Sequence, residues 1–554
     1  MLRTLQEQHR RGKQRLWACF VDFKQAYDRV PRQLLWEKLE ARGLGGEWLR
    51  AVQALYADVP MAVRTSAGIS PCFQATMGLK QGCPLSPTLF GLYIDDFEGD
   101  VLAAAQRGVQ LDLPLLGGEA VPPLLYADDM ALLATSAEGL QAQLELLQQY
   151  CERWGLTVNT VKTKLMLLSG ARTQQLALEA AQQAGLTFGG VPLEAVHSFK
   201  YLGIWFSAAT CLAGSTAPAR AALAGKAVSS MRARCAELGV EAVGVQLQLF
   251  STMVDSVLSY GAEVWAPQLA AKAAASSACS GGSKAEALHM RFLRQQLGVR
   301  QSTPNAVVLT ELGELPLWLR WLKRAARLWN RLLAQPAGSL MRRALHASIT
   351  LALQAPAEQL ARQSWAGQLA AAMEAIGMPL DLQQPAAIGR KALQRCGLEH
   401  HLEQLRQGGT REGASKLLHY VRNVRGGCLE VECYGRAEYV DVVRERRRRE
   451  ALAQWRTGSH WGAEETGRWA RPIMPREQRL CPHCSGGVED VGHMVFDCPL
   501  YSRLREQYPD LFAQEHTLQS FLEQPAGPVA HFADACRRLH EAASMALPTA
   551  DGSP

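Results

Sequence analysis

The 554-residue sequence has no uninterrupted apolar run of about 18 residues, the length a membrane-spanning helix requires. It opens Met-Leu-Arg-Thr-Leu-Gln-Glu-Gln-His-Arg-Arg, without the hydrophobic core of a secretory signal. These two absences lead us to expect a soluble, intracellular protein with no membrane partner. Charge of one sign is also not in strong excess. Fifty-nine Lys and Arg stand against 52 Asp and Glu, a net charge of +7, which permits nucleic-acid binding without demanding it. The 14 cysteines are scattered through a long chain, as in a protein whose thiols stay reduced, and only those between 481 and 498 have the spacing of metal ligands. With 48% hydrophobic residues, the chain is long enough for two to four domains with sizeable cores.

Against this background the stretch Tyr126-Ala127-Asp128-Asp129 stands out. Apolar runs from Val121 to Leu125 and from Met130 to Ala134 flank it, which predicts two short strands joined by a tight turn that carries both acids. Adjacent carboxylates in a partly buried turn repel and call for a counter-charge, for which a divalent cation held by oxygen ligands is suited. Upstream, Leu16 to Phe23 reads as a buried strand interrupted by Asp22, a charge that wants the same cation. One acid at a strand end and a pair on a neighbouring hairpin can hold two Mg²⁺ ions. Such ions activate a 3′-hydroxyl and stabilise a leaving pyrophosphate, so the pattern predicts nucleotidyl transfer.

Three stretches in order, Phe20-Val-Asp-Phe-Lys-Gln-Ala-Tyr-Asp28, Gly78-Leu-Lys-Gln-Gly-Cys-Pro-Leu-Ser-Pro-Thr-Leu-Phe90 and Tyr126-Ala-Asp-Asp129, resemble the central motifs of reverse transcriptases of non-LTR (LINE-type) retrotransposons. The resemblance runs through roughly the first 335 residues, with a second patch near the C-terminus. It implies an α+β fold: a polymerase palm of antiparallel sheet and covering helices, a helical thumb, a helical connector and a small zinc-binding C-terminal module. The boundaries we expect are 1–206 for the palm with partial fingers, 207–335 for the thumb, 336–425 for the connector, 426–505 for the zinc-finger region and 506–554 for a tail. Members of the family carry fingers, and often an endonuclease, ahead of the first acid. Little precedes Asp22 here, so we expect a chain without the endonuclease and most of the fingers.

The resemblance also implies roles. Asp22 and Asp128 would bridge two Mg²⁺ with Asp129 in support, and Tyr27 would pack under the nucleotide sugar and exclude a 2′-hydroxyl. Gln81 and Gly82 would lie near the incoming nucleotide, with Lys80 a candidate backbone contact. Lys162, ahead of Lys164, would protonate the leaving pyrophosphate. Phe199 to Gly203 would form a hairpin similar to a primer grip. RNA template, DNA primer and dNTPs follow as partners, with the nucleus as the place of action. The rival reading is a truncated, inactive nucleic-acid-binding remnant. An RNA-dependent RNA polymerase fits Tyr27 and the Tyr-Ala-Asp-Asp form less well.

Beyond the palm, residues 220–262 and 288–334 carry helical patterns around an Ala/Ser/Gly-rich stretch, Ala266 to Ser283, which we expect to be a flexible loop. Leu317 to Leu333 mixes three tryptophans with basic residues, a pattern that suits either a core helix with a solvated face or a helix tracking phosphates. Arg444 to Glu450 reads foremost as a solvated helix face. Finally Cys481, Cys484, His493 and Cys498 have the spacing C-x2-C-x8-H-x4-C, three thiolates and one imidazole for a closed tetrahedral Zn²⁺. His483, inside the first loop, is expected to point outward.

Overall fold

The structure is a computed structural model; it describes residues 1–66, 68–276, 282–355, 364–409, 415–426, 428–469 and 472–545. The chain forms two compact units, one made of Met1–Thr216 with Ala334–Gln359, the other of Ala217–Leu333 with Leu360–Pro554.

The first unit is built on a five-stranded sheet. Its strands are β1 (Leu16–Val21), β2 (Leu124–Tyr126), β3 (Asp129–Ala134), β4 (Lys164–Ser169) and β5 (Glu194–Ala195), in the spatial order β5-β4-β1-β3-β2. All six residues of β1 are buried, which is why its sequence is a near-continuous apolar run rather than an alternation. It pairs antiparallel with β4 and with β3, and β2 pairs antiparallel with β3. The expected all-antiparallel sheet is corrected at one edge, where the two-residue β5 runs parallel to β4. A strand of two residues leaves no periodicity to read.

Helix Ala137–Trp154 covers the sheet with Leu140, Leu144, Leu147, Tyr150 and Cys151 buried. Ser136 accepts a hydrogen bond from the Gly139 N–H at its start, and Gly155 ends it in the left-handed conformation at φ 66°. Lys38 is buried among aromatics, donating to the Tyr93 carbonyl, Asp96 and the Tyr150 hydroxyl, and burial lowers its pKa to about 8. Helix Leu340–Leu353, which the sequence reading assigned to a connector, packs in this unit. There the Arg11 guanidinium donates to the Leu351 and Gln354 carbonyls, an anchor that hydrophobic patterning does not reveal.

The second unit is helical. In helix Leu317–Leu333, Trp318, Trp321 and Trp329 are fully buried, and Trp321 and Trp329 donate to Ser259 Oγ and the Ala386 carbonyl. Arg320 is paired with Glu314, so these aromatics are core and do not stack on bases. The expected loop at Ala266 to Ser283 is corrected too. Pro267–Ala274 is a helix opened by proline, and its buried Ala270, Ala273 and Ala274 permit close packing against helix Trp365–Ala375. Residues 277–281 of that stretch lie outside the described residues. In the Arg444 to Glu450 run, Arg449 is buried and donates to the Val443 and Arg444 carbonyls, so this stretch is only partly a solvated face. The segment expected as a tail contains helix Ala526–Met545, which buries Val529, Phe532, Ala533 and Cys536 at helical spacing against helix Arg446–Arg456. Among the described residues no helix is long and apolar enough to cross a membrane.

Candidate functional site

Register brings the palm acids together. β1 and β3 are aligned Trp17↔Ala134 through Val21↔Met130, so the next residue of β1, Asp22, arrives at the turn that precedes β3. That turn is the two-residue connection Ala127-Asp128, closed by the pair Tyr126↔Asp129. Ala127 holds φ 52°, a conformation that costs a residue with a Cβ about 1 kcal/mol. The pair is more open than its sequence suggests. Asp128 and Asp129 are both exposed, because the hairpin tip projects beyond the apolar layers. The Asp129 carboxyl still lies above its ordinary pKa, through partial desolvation first and then through the negative charges of Asp128 and Asp22. The three carboxylates therefore share one electrostatic field. Mg²⁺ keeps water and substrate oxygens in its shell, so an open set of three carboxylates fits it without a closed protein cage.

The end of β1 is laced to the stretch that carries the lysines. Asp22 N–H donates to Thr163 Oγ1 at 3.1 Å, and its carbonyl accepts from Asn159 N–H at 2.7 Å. A turn over Asn159 to Thr163 then leaves Lys162 Nζ 3.9 Å from Asp22 Oδ2 and exposed. Lys164 is directed elsewhere, to Glu194 and the Val161 carbonyl.

Tyr27 stacks on Phe90 with ring centroids 5.1 Å apart, and burial together with Asp128 raises its pKa. The glycine loop closes onto this segment. Gly78 N–H donates to the Val30 carbonyl and Leu79 N–H to that of Tyr27, at 2.9 and 2.7 Å. Gly78 has φ 83°, and a Cβ there would lie 2.5 Å from the Asp28 carbonyl oxygen, so only glycine permits the approach. Gln81 Nε2 donates to both oxygens of Asp28 at 2.9 and 3.0 Å. Gly82 has φ 79° and open space around it, while Lys80 Nζ lies over the Tyr56 ring at 5.6 Å. Sequence reasoning left Asp28 without a role and did not single out Arg32, whose guanidinium donates to the Gly78, Tyr56 and Met77 carbonyls and holds the loop. A signal for Arg32 was its place directly after Pro31, at a helix start. Asp28 gave none. The expected primer-grip hairpin is Ser198–Tyr201 paired with Ile204–Ser207, and Phe199 stacks on Phe20 of β1 at 4.4 Å.

The second candidate site, in the other unit, is closed. Ligand atoms of Cys481, Cys484, His493 and Cys498 all lie within 4.8 Å of one another, with Cys484 Sγ 3.3 Å from His493 Nε2 and Cys481 Sγ 3.8 Å from Cys498 Sγ. A bridge between Leu480 and Val488 and the left-handed Ser485, φ 54°, fold the first loop back on itself. Asp490 Oδ1 accepts from His493 N–H at 2.9 Å, which fixes the second pair of ligands. Burial pushes the Cys481 thiol up to about 12 and raises Cys498, and a cation such as Zn²⁺ beside them favours their thiolate forms. The donor set fits a structural zinc. His483 does not point outward as expected, since its Nε2 is buried.

Residues 1–206 match the family described as "Reverse transcriptase (RNA-dependent DNA polymerase)". The chain is 26% identical over 196 residues to the "Retrovirus-related Pol polyprotein from type-1 retrotransposable element R2" of Nasonia vitripennis, a match covering 35% of this chain and 18% of that protein. It is 27% identical over 196 residues to the corresponding type-2 R2DM polyprotein of Drosophila melanogaster, covering 34% and 18%. To the "RNA-directed DNA polymerase from mobile element jockey" of Drosophila funebris it is 25% identical over 203 residues, covering 34% and 19%. The matched stretch thus spans less than a fifth of each of these relatives.

Proposed function

We propose, from the premise that residues 1–206 are a reverse transcriptase domain of the non-LTR retrotransposon kind, that the chain copies an RNA template into DNA from a primer. The observation that carries this reading is the register of β1 on β3, which sets Asp22 beside the Asp128–Asp129 turn at one end of the sheet. Asp22 and Asp128, supported by Asp129, would hold two Mg²⁺. When bound, the ions lower the pKa of the primer 3′-hydroxyl and neutralise charge on the departing pyrophosphate. The protein's own groups do the rest. Lys162, next to Asp22 and free to swing, offers its ammonium proton to the pyrophosphate oxygen. Tyr27, fixed by its stack on Phe90, presents a wall to the 2′ position of the sugar. Gln81 and Gly82 border the nucleotide on a loop whose backbone is tied to Tyr27 and Val30. In the second unit, Cys481, Cys484, His493 and Cys498 would hold Zn²⁺ as a structural centre of a nucleic-acid-gripping module.

The test is primer extension on an RNA template with Mg²⁺ and dNTPs, comparing the chain with its Asp128→Ala variant. Extension that falls by about a hundredfold or more in the variant supports the reading. Absence of extension by either, with RNA binding unaffected by the substitution, overturns it in favour of a nucleic-acid-binding remnant.

A further inference from the structure

We propose that the C-terminal module holds a second divalent cation of the zinc class, in an open site formed by His483, Glu489 and His540. One ligand atom from each of the three lies within 4.8 Å of the others. Glu489 is 1% exposed and held at both ends. Its Oε2 accepts the Ala463 N–H at 2.6 Å, while Oε1 lies 3.0 Å from His540 Nε2. The rings of His483 and His540 meet edge to face, with centroids 5.0 Å apart at 84°.

A simple ion pair between Glu489 and His540 would satisfy two of these groups and leave the third unexplained. His483 Nε2 is buried and has no hydrogen-bond partner among the described residues. Buried polar atoms are seldom left in that state, and an unpartnered imidazole grouped with a carboxylate and a second imidazole suits a metal ligand. Charge argues the same way. Three thiolates and an imidazole around one Zn²⁺ carry a net charge of −1, and Glu489 Oε1 lies only 3.8 Å from Cys481 Sγ. Two anionic centres that close repel, and a cation on the Glu489 side removes the repulsion. Donor–donor edges in a tetrahedral zinc site are about 3.3 Å, so the 3.0 Å contact already has the right scale. Two imidazoles and one carboxylate suit zinc or cobalt better than Mg²⁺ and leave a fourth position to water. Sequence spacing conceals the site, because His540 stands 51 residues beyond Glu489.

The three ligands of this site are distinct from the four of the cysteine centre, so the two can be counted separately. The experiment counts zinc by mass spectrometry on the full chain after saturation and dialysis, then repeats the titration with Co²⁺. The expected result is two zinc ions per chain, falling to one in His483→Ala and in His540→Gln with circular dichroism unchanged. In those variants the thiolate-to-cobalt charge-transfer absorption persists while the weaker d–d absorption drops by the share of one ion. A wild-type chain that holds one zinc or none, with a count that His540→Gln does not change, overturns the proposal. If Cys484→Ser keeps the full count and His540→Gln lowers it, the second site stands and the reading of the cysteine centre fails.

Discussion

The palm carboxylates and the cysteine–histidine module are both candidate metal sites, yet they are built in opposite ways. Asp128 and Asp129 stand exposed on a strained two-residue turn at the edge of a rigid sheet. Cys481, His493 and Cys498 are buried, and Val491, Met494, Val495 and Tyr501 are buried beside them in the same stretch. In the first the protein holds like charges together at a cost in stability and leaves them open to solvent. In the second the four candidate ligands are enclosed beside an apolar core. The fold around the carboxylates leaves them open, while the cysteine–histidine set is closed by its own ligands.

The largest test of this contrast is removal of zinc. A structural zinc contributes on the order of 10 kcal/mol to its site, so chelation is expected to unfold the ligand loops between Cys481 and Cys498 while the palm retains its structure. Hydrogen exchange resolved by segment checks this, and an unaffected module would break the comparison. Next in size is the buried ion pair of the second unit. Arg456 donates to both oxygens of the fully buried Glu311, at 2.9 and 3.0 Å, and these contacts hold that carboxyl below its usual range against the effect of burial. Arg456→Met strands the charge and is expected to cost about 3–5 kcal/mol, read by denaturant titration of the second unit.

Acid sharpens the comparison further. Burial would raise the Glu464 carboxyl, but His460 and Arg476 hold it down to about 2. Its folded value is depressed, so its contribution is complete above about pH 4.5 and is lost as pH falls toward 2. A shift of this size corresponds to roughly 3 kcal/mol. Glu464→Gln is expected to lower stability at pH 7 and to flatten the acid limb of the stability curve between those values. For the palm the sign reverses. Asp129 is held above its ordinary pKa, so Asp129→Asn is expected to raise the melting temperature of the Mg²⁺-free chain slightly while primer extension fails. A fall in melting temperature there would show that the carboxylate is structural. Smallest of all, Ala127→Gly relieves the positive φ and is expected to change stability by about 1 kcal/mol or less, the strain relief opposed by glycine's entropy.

Much of the palm was legible in the sequence because its signals are local. The strand leading into Asp22, the hairpin around Asp128 and the helix from Ala137 each follow from apolar spacing within a dozen residues. What escaped depended on distant partners. Asp28 is a surface acid until Gln81 reaches it, the Ala-rich helix Pro267–Ala274 resembles a linker until Trp365–Ala375 covers it, and His483 looks solvent-facing until His540 arrives from the C-terminal helix. The exposure of the Asp128–Asp129 turn was misjudged for a related reason, since burial belongs to the sheet edge and not to the flanking apolar runs.

The contact at Gly78 has a consequence for tolerance. With its backbone set against Asp28 and its neighbour Leu79 bonded to Tyr27, the loop carrying Gln81 is fastened directly to the segment carrying Tyr27. A shift at either end bears directly on the other, because no hinge separates them. The same missing methyl that permits the contact therefore leaves this corner of the molecule with almost no mechanical slack.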